Sequence, residues 1–322
     1  MSRETDIIEG IFDRPAGAAT GVHLGIGDDA AVTELPPGTL LVTATDALVA
    51  GTHFEAAAPA DSVGYRSLAV NLSDLAAMGA HPLWASLSLS LPGVNDKWVA
   101  AFAEGFFRLA DETATGLIGG DTVRGPLAVT VTVQGWVPAG EYVTRTGAQP
   151  GDEIWLSGNP GAAAAGRLLA SGELDIQAPD TAREELIQRF YYPEPRLALG
   201  QSLCGLATAM IDISDGVAID CQRLLQASQV GAVMQADSLP LGRLVQAGLA
   251  AEQSRELGLC GGEDYELCFT APADRHSDVA GLAGAIGVDA TCVGTVMAGG
   301  DISWQLAGRP FNLPNSTFEH FA

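Results

Sequence analysis

The stretch Leu83-Trp84-Ala85-Ser86-Leu87-Ser88-Leu89-Ser90-Leu91 alternates: Ser86, Ser88 and Ser90 point one way, Leu87, Leu89 and Leu91 the other. Period two is the side-chain period of a β-strand, and one apolar face beside one hydroxyl-bearing face suits an antiparallel sheet covered on one side. Ala128 to Val137 repeats the pattern, with Thr130, Thr132 and Gln134 opposing Val129, Val131 and Val133. Between the two, Trp98, Phe102, Phe106 and Leu109 recur at helical spacing and predict an amphipathic helix. Upstream, Leu40 to Thr45 follows Pro36-Pro37-Gly38 and reads as a buried strand ending at Asp46. A helix is expected over Val63 to Met78, capped by Asp61 or Ser62 and stopped by Gly79. On it Ser67, Asn71 and Asp74 form one polar stripe on an apolar cylinder, which must face a cavity, a ligand or solvent.

Strands and helices mix without strict βαβ alternation, so the fold class is α+β, a mixed α/β arrangement. Pro138, Gly140, Gly147, Pro150 and Gly151 punctuate a break, and two domains are expected, 1–140 and 150–322. In the second, 153–156, 209–213, 268–270 and 291–296 read as strands, and 162–170, 183–190 and 218–227 as helices.

The 322 residues are 47% hydrophobic, enough for a large core. Sixteen basic against 39 acidic residues give a net charge of −23, which argues against nucleic acid and anionic membranes as partners. Cys204, Cys221, Cys260, Cys268 and Cys292 form no CxxC pair and read as reduced thiols. The polar, acid-bearing start is no signal peptide, and no apolar run reaches the ~18 residues of a membrane span. A cytoplasmic location is expected.

Five aspartate motifs sit among glycine and apolar residues: Gly25-Ile26-Gly27-Asp28-Asp29, Thr43-Ala44-Thr45-Asp46, Asn71-Leu72-Ser73-Asp74, Gly119-Gly120-Asp121-Thr122 and Asp212-Ile213-Ser214-Asp215-Gly216. Each has an ordinary reading, as a turn or a helix cap. Carboxylates in apolar chain also call for positive charge, yet Lys97 is the sole lysine and Arg124 the nearest arginine in sequence. A divalent metal would supply it, and hard oxygen donors without Cys or His clusters point to Mg²⁺. With one lysine there is no P-loop, and Gly158-Asn159-Pro160-Gly161 reads as a turn. His53 and the Glu263-Asp264-Tyr265-Glu266 run after Gly261-Gly262 are open to surface or substrate-facing readings.

Together GIGDDAAV, TDALVAGTHF, NLSDLAAMGA, LIGGDT, DISDG and GGEDYELCFT, with the terminal Phe318-Glu319-His320-Phe321, closely resemble the thiamine-monophosphate kinases. That family belongs to the aminoimidazole ribonucleotide synthetase superfamily. The resemblance implies transfer of the γ-phosphate of ATP to thiamine monophosphate, giving thiamine diphosphate and ADP. It implies an N-terminal ATP/Mg-binding and dimerisation domain, a C-terminal synthetase-like domain, and a homodimer whose N-terminal sheets form a barrel. By motif position, Asp29, Thr45, Asp46, Asp74, Asp121, Asp212 and Asp215 would hold Mg²⁺, and Gly120, Asp121, Arg145 and Ser214 would contact ATP. His53, Glu263 and Phe318 would line the thiamine phosphate pocket, and Asp46, Asp74, Asp121 and Arg145 would carry catalysis. The rival readings are another ATP-using synthetase of the superfamily and a non-catalytic divalent-cation-binding protein.

Overall fold

The two alternating stretches lie side by side in the structure, a computed structural model that describes residues 8–13 and 21–314. The chain divides into one unit of Met1–Leu75 with Ala80–Gly140 and a second of Ala76–Gly79 with Glu141–Ala322.

In the first unit, a helical turn at Ile8–Phe12 precedes the antiparallel pair β1 (Val22–Leu24) and β2 (Val32–Thr33). Then come β3 (Thr39–Val49), α1 (Ala60–Ala77), β4 (His81–Leu91), α2 (Asp96–Glu112), β5 (Gly116–Arg124) and β6 (Ala128–Pro138). The sheet order is β3-β6-β4-β5, antiparallel except for β4 beside β5. Register sets Leu87 opposite Val131 and Ser86 opposite Thr132, so apolar meets apolar and hydroxyl meets hydroxyl. Leu87, Leu89, Val129, Val131 and Val133 are buried, and α1 crosses their face with Leu75 against Gly135. Here α1 and α2 touch backbone to backbone. A Cβ on Gly64 would lie 1.9 Å from the Phe102 carbonyl oxygen, and one on Gly105 would lie 1.8 Å from that of Asp61.

Several expectations are corrected. β3 does not end at Asp46 but continues to Val49, and it is not buried: Leu40 is 46% and Leu41 50% exposed. The reason is its place in the sheet, since β3 is an edge strand paired with β6 alone among the described residues. The sheet is open, and the described residues of this chain form no closed barrel. α1 starts at Ala60, ahead of the expected caps, and Ser62 Oγ donates to the Pro59 carbonyl. Its stop is Gly79, whose N–H bonds the Ala76 carbonyl in a left-handed turn. The polar stripe faces no solvent at Ser67 and Asn71, both buried: Ser67 Oγ donates to the Gly64 carbonyl and Asn71 Nδ2 to that of Ser67.

The second unit runs β7 (Asp152–Ser157), α3 (Ala162–Ser171), α4 (Asp180–Tyr191), α5 (Leu197–Ser202), β8 (Ala209–Ile213), α6 (Val217–Ala227), β9 (Gly231–Gln235) and α7 (Gly242–Gln246). It continues with α8 (Ala251–Cys260), β10 (Glu266–Pro272), α9 (His276–Ile286), β11 (Ala290–Met297), β12 (Ile302–Leu306) and β13 (Arg309–Phe311). The seven-stranded sheet has the order β13-β12-β9-β11-β7-β10-β8, with only β9 and β12 parallel. Both faces are covered: Ile154 and Leu156 pack with Ile211, Ile213 and Leu224, while Trp155 packs with Met210, Leu267 and Phe269 on the other side. All of β8 is therefore buried, which fits its unbroken apolar run interrupted only by Asp212. The mixed α/β class holds. All five cysteines are free, and among the described residues no helix is long and apolar enough to cross a membrane.

Candidate active site

In the first unit, Thr45 and Asp46 are neighbours on an extended strand and so point to opposite faces. The Thr45 hydroxyl meets that of Thr132 at 2.9 Å on the hydroxyl-lined face. Asp46 shares the other face with buried Leu48, toward α1. There the Asn71 side-chain oxygen accepts the Asp46 backbone N–H at 2.8 Å. Asp74 follows Asn71 by three residues, on the next turn of the same helix face, so the structure brings its turn toward the Asp46 strand.

Gly120 and Asp121 lie within β5 rather than in a tight turn, opposite Leu87 and Ser88 of β4. A Cβ at Gly120 would lie 1.8 Å from the Leu87 carbonyl oxygen, so only glycine lets β5 run this close before Asp121. Asp121 is set on the face of Ser88 and Thr130, which Thr45 shares. Asp28 and Asp29 are exposed in the β1–β2 connection, where Asp28 Oδ1 accepts the Asp29 N–H at 2.8 Å. His53 closes the loop after β3: its Nδ1 accepts the Val49 N–H at 3.1 Å, and its carbonyl accepts Arg66 Nη1 at 2.6 Å. That bond leaves the Nε2 position of the ring to donate.

In the second unit, Ser214, Asp215 and Gly216 link the end of β8 to the start of α6. Their three backbone N–H groups all donate to one oxygen of Asp220, at 3.0, 2.9 and 3.2 Å. The other Asp220 oxygen accepts Arg223 Nη1 at 2.7 Å, and the same nitrogen reaches Asp215 Oδ2 at 2.5 Å. Burial pushes the Asp220 carboxyl up, against the N–H bonds and Arg223 that draw it down. The arginine beside this motif is thus Arg223, eight residues on in the chain, and for Asp215 the positive charge comes from within.

The GGEDYE run folds against this loop. Glu263 N–H bonds the Ser214 carbonyl at 2.7 Å and Tyr265 N–H that of Ile213 at 2.8 Å. Glu263 and Tyr265 both hold left-handed φ, 66° and 51°, a strained setting that lets the Tyr265 hydroxyl donate to Glu263 Oε2 at 2.9 Å. Asp264 turns the other way and accepts the N–H groups of Gly161 (2.7 Å) and Ala163 (3.1 Å) at the start of α3. The Gly158–Gly161 turn is therefore occupied by a side chain of the protein itself. Desolvation raises the Asp264 carboxyl to about 8 despite those two bonds. Glu266 is buried and forked by Arg196 at 2.6 Å through each of two nitrogens, while Ser157 Oγ donates to it at 2.5 Å. Glu266 and Glu194 hold the Arg196 guanidinium fully charged against its burial.

Arg145 is exposed, and its carbonyl accepts Ser228 Oγ at 3.0 Å at the far end of α6 from Ser214. The helix has 11 residues, about 16 Å at 1.5 Å per residue, so the backbones of Arg145 and Ser214 are not neighbours. Phe318 lies outside the described residues. Asp220, Arg223 and Arg196 escape a motif-based reading, while Asp264 and Glu266 fall within the GGEDYE run without roles of their own being assigned there. The signal for Asp220 in sequence is an acid among apolar residues, Val217-Ala218-Ile219-Asp220-Cys221.

Among the described residues no three of His, Cys, Asp or Glu converge to form a metal cage. Mg²⁺ asks for no such cage, since it keeps several waters and takes one or two carboxylates plus substrate phosphates. The donors on offer, Asp46, Asp74, Asp121 and the Thr45 hydroxyl, are all hard oxygens.

Residues 27–137 match the AIR synthase related protein, N-terminal domain, and residues 149–306 the corresponding C-terminal domain. The chain is 40% identical over 320 residues to a thiamine-monophosphate kinase of Salmonella typhimurium, covering 99% of this chain and 98% of the relative. The crystal structure of thiamine-monophosphate kinase from Stenotrophomonas maltophilia superposes with a TM-score of 0.84 at 40% identity, over 95% of this chain and 96% of that one. A structure described as AaThiL complexed with AMPPCP and TMP superposes with a TM-score of 0.77 at 29% identity, over 98% and 96% of the two chains.

Proposed function

This chain belongs to the thiamine-monophosphate kinase family, and we propose that it moves the γ-phosphate of ATP directly onto thiamine monophosphate, giving thiamine diphosphate and ADP. The observation that carries this reading is the match along 98% of the chain to a relative complexed with AMPPCP and TMP.

The acceptor is a phosphate monoester whose second pKa is near ~6, so at neutral pH it is already ionised and needs no general base. This agrees with His53, whose Nδ1 is engaged by backbone and is not poised to take a proton. The barrier is repulsion between two polyanions, which is met by positioning and positive charge. Magnesium, when bound, would supply that charge. In the first unit Asp29, Asp46 and Asp74 are assigned to hold it, and so are Asp121 and the Thr45 hydroxyl, which share the other face of the sheet. In the second unit Asp212 and Asp215 are assigned the same role and Ser214 and Arg145 are assigned to nucleotide, as Gly120 and Asp121 are in the first unit. Glu263, held by Tyr265, is assigned to the positive thiazolium, and His53 and Phe318 are assigned to thiamine phosphate by motif position.

The chain acts as a homodimer joined through the first unit. β3 supports this: eleven residues long, unpaired on one side among the described residues, and lined with exposed Leu40, Leu41 and Val49, it is a template for a second strand. A barrel across the dimer would bury that edge. A cytoplasmic location accords with the five free thiols.

The decisive experiment measures ADP release with thiamine monophosphate and other phosphate acceptors, with Mg²⁺ and with EDTA. Turnover with thiamine monophosphate that EDTA abolishes and Mg²⁺ restores supports the proposal. ADP formed equally with every acceptor, or none with this one, overturns it. Retention of configuration at a chiral γ-phosphorus would overturn direct transfer.

A further inference from the structure

Asp215 meets a cation from its own chain, and that cation is anchored elsewhere. Arg223 Nη1 lies 2.5 Å from Asp215 Oδ2 and 2.7 Å from Asp220 Oδ1. Asp220 is 1% exposed and does not depend on Asp215 for its place, since its second oxygen is bound by the N–H groups of residues 214–216. Asp215 and Arg223 are different: their side chains are 31% and 42% exposed, so water competes for that half of the bridge.

We propose that Arg223 is a positioning residue that serves as a displaceable counter-ion for Asp215. It keeps the carboxylate neutralised and oriented while no metal is bound, and yields it to a divalent cation while remaining tied to Asp220. The inference rests on the reading of Asp215 as a metal ligand. The asymmetry of the bridge carries it, with one arm buried and braced by three N–H donors and the other arm solvent-facing. An arginine meant only to brace the loop would need Asp220 alone.

The test is a titration of the full chain with Mn²⁺, in the presence of a non-hydrolysable ATP analogue, followed by calorimetry or by the free-Mn²⁺ spectrum. Arg223→Gln removes the competitor and tightens Mn²⁺ binding, by about two- to five-fold for an exposed ion pair. Arg223→Lys keeps a competing charge and stays near wild type. A destabilised loop cannot tighten metal binding, so the gain separates this role from a structural one. Unchanged or weakened binding in Arg223→Gln overturns the proposal. Asp215→Asn distinguishes the two levels: if it leaves Mn²⁺ affinity untouched, the ligand assignment fails. If it weakens binding while Arg223→Gln gives no gain, the counter-ion role alone fails.

Discussion

The Asn71 side-chain oxygen accepts the backbone N–H of Asp46 at 2.8 Å, and this bond ties α1 to the edge strand at a proposed metal-ligand position. Asn71 is fully buried and spends its amide nitrogen on the Ser67 carbonyl, so it has no other orientation available. Asn71→Ala therefore leaves a part-buried donor unmatched and costs about 1–3 kcal/mol. Urea unfolding reads this loss, and a variant as stable as wild type would show that β3 holds its place without the clamp.

Asp46→Asn and Asp74→Asn each keep the volume and remove the charge. Turnover should fall on the order of 100-fold or more, with the circular dichroism spectrum unchanged, as for loss of a group that stabilises transition-state charge. Near-normal turnover in either variant would remove that residue from the metal-binding set.

Arg196 and Glu266 form a buried, bidentate ion pair on which Ser157 also converges. Arg196→Met strands the Glu266 charge and should cost about 3–5 kcal/mol in unfolding free energy. The double variant Arg196→Met with Glu266→Leu should recover much of it, since the penalty is the unpaired charge rather than the absent pair. Equal losses in single and double variants would refute this.

Asp264 makes stability depend on pH in a direction opposite to that of an ion-paired aspartate. The folded chain keeps its proton up to about 8, while the unfolded chain releases it near the usual carboxylate value of ~4. Between those limits the folded state binds more protons, so stability falls as pH rises and levels off above the upper limit. Asp264→Asn keeps an acceptor for one of the two N–H groups at the start of α3 and removes the titration. Melting temperatures from pH 5 to 8 should decline less steeply in the variant than in wild type, and parallel curves would count against a proton on Asp264.

Leu40→Lys with Leu41→Lys places charge on both faces of the exposed first half of β3, eight and seven residues from buried Leu48. Sedimentation should show the dimer weakened or lost. An unaltered mass would move the interface away from this strand.

What could be read from residues alone followed the range of the interactions involved. The alternation at 83–91 and 128–137 and the Gly79 stop are local, and each appears as read. The extent and exposure of β3 are not local: they follow from pairing with β6, some 85 residues downstream, and from having no second neighbour among the described residues. Asn71 shows the same limit from the other side. A polar stripe expected to face a cavity, a ligand or solvent meets the chain's own backbone at Asn71, because Asp46, 25 residues away, supplies a donor. The site motifs were conspicuous as glycine–aspartate pairs, whereas Asp220 was not, and Asp264 stood in a conspicuous run without its role being legible. The partners of both are backbone N–H groups, which every sequence has and no motif marks.

The reciprocal contact between Gly64 and Gly105 has a consequence for how this family of chains can vary. Each glycine lies against the other helix's carbonyl, so the distance between α1 and α2 is fixed by main chain on both sides. Compensating changes, the usual escape from a tight packing site, are closed off, since no substitution elsewhere can shorten a carbonyl. In a saturation library these two positions should stand out as columns accepting a single residue, inside helices whose outer faces accept many.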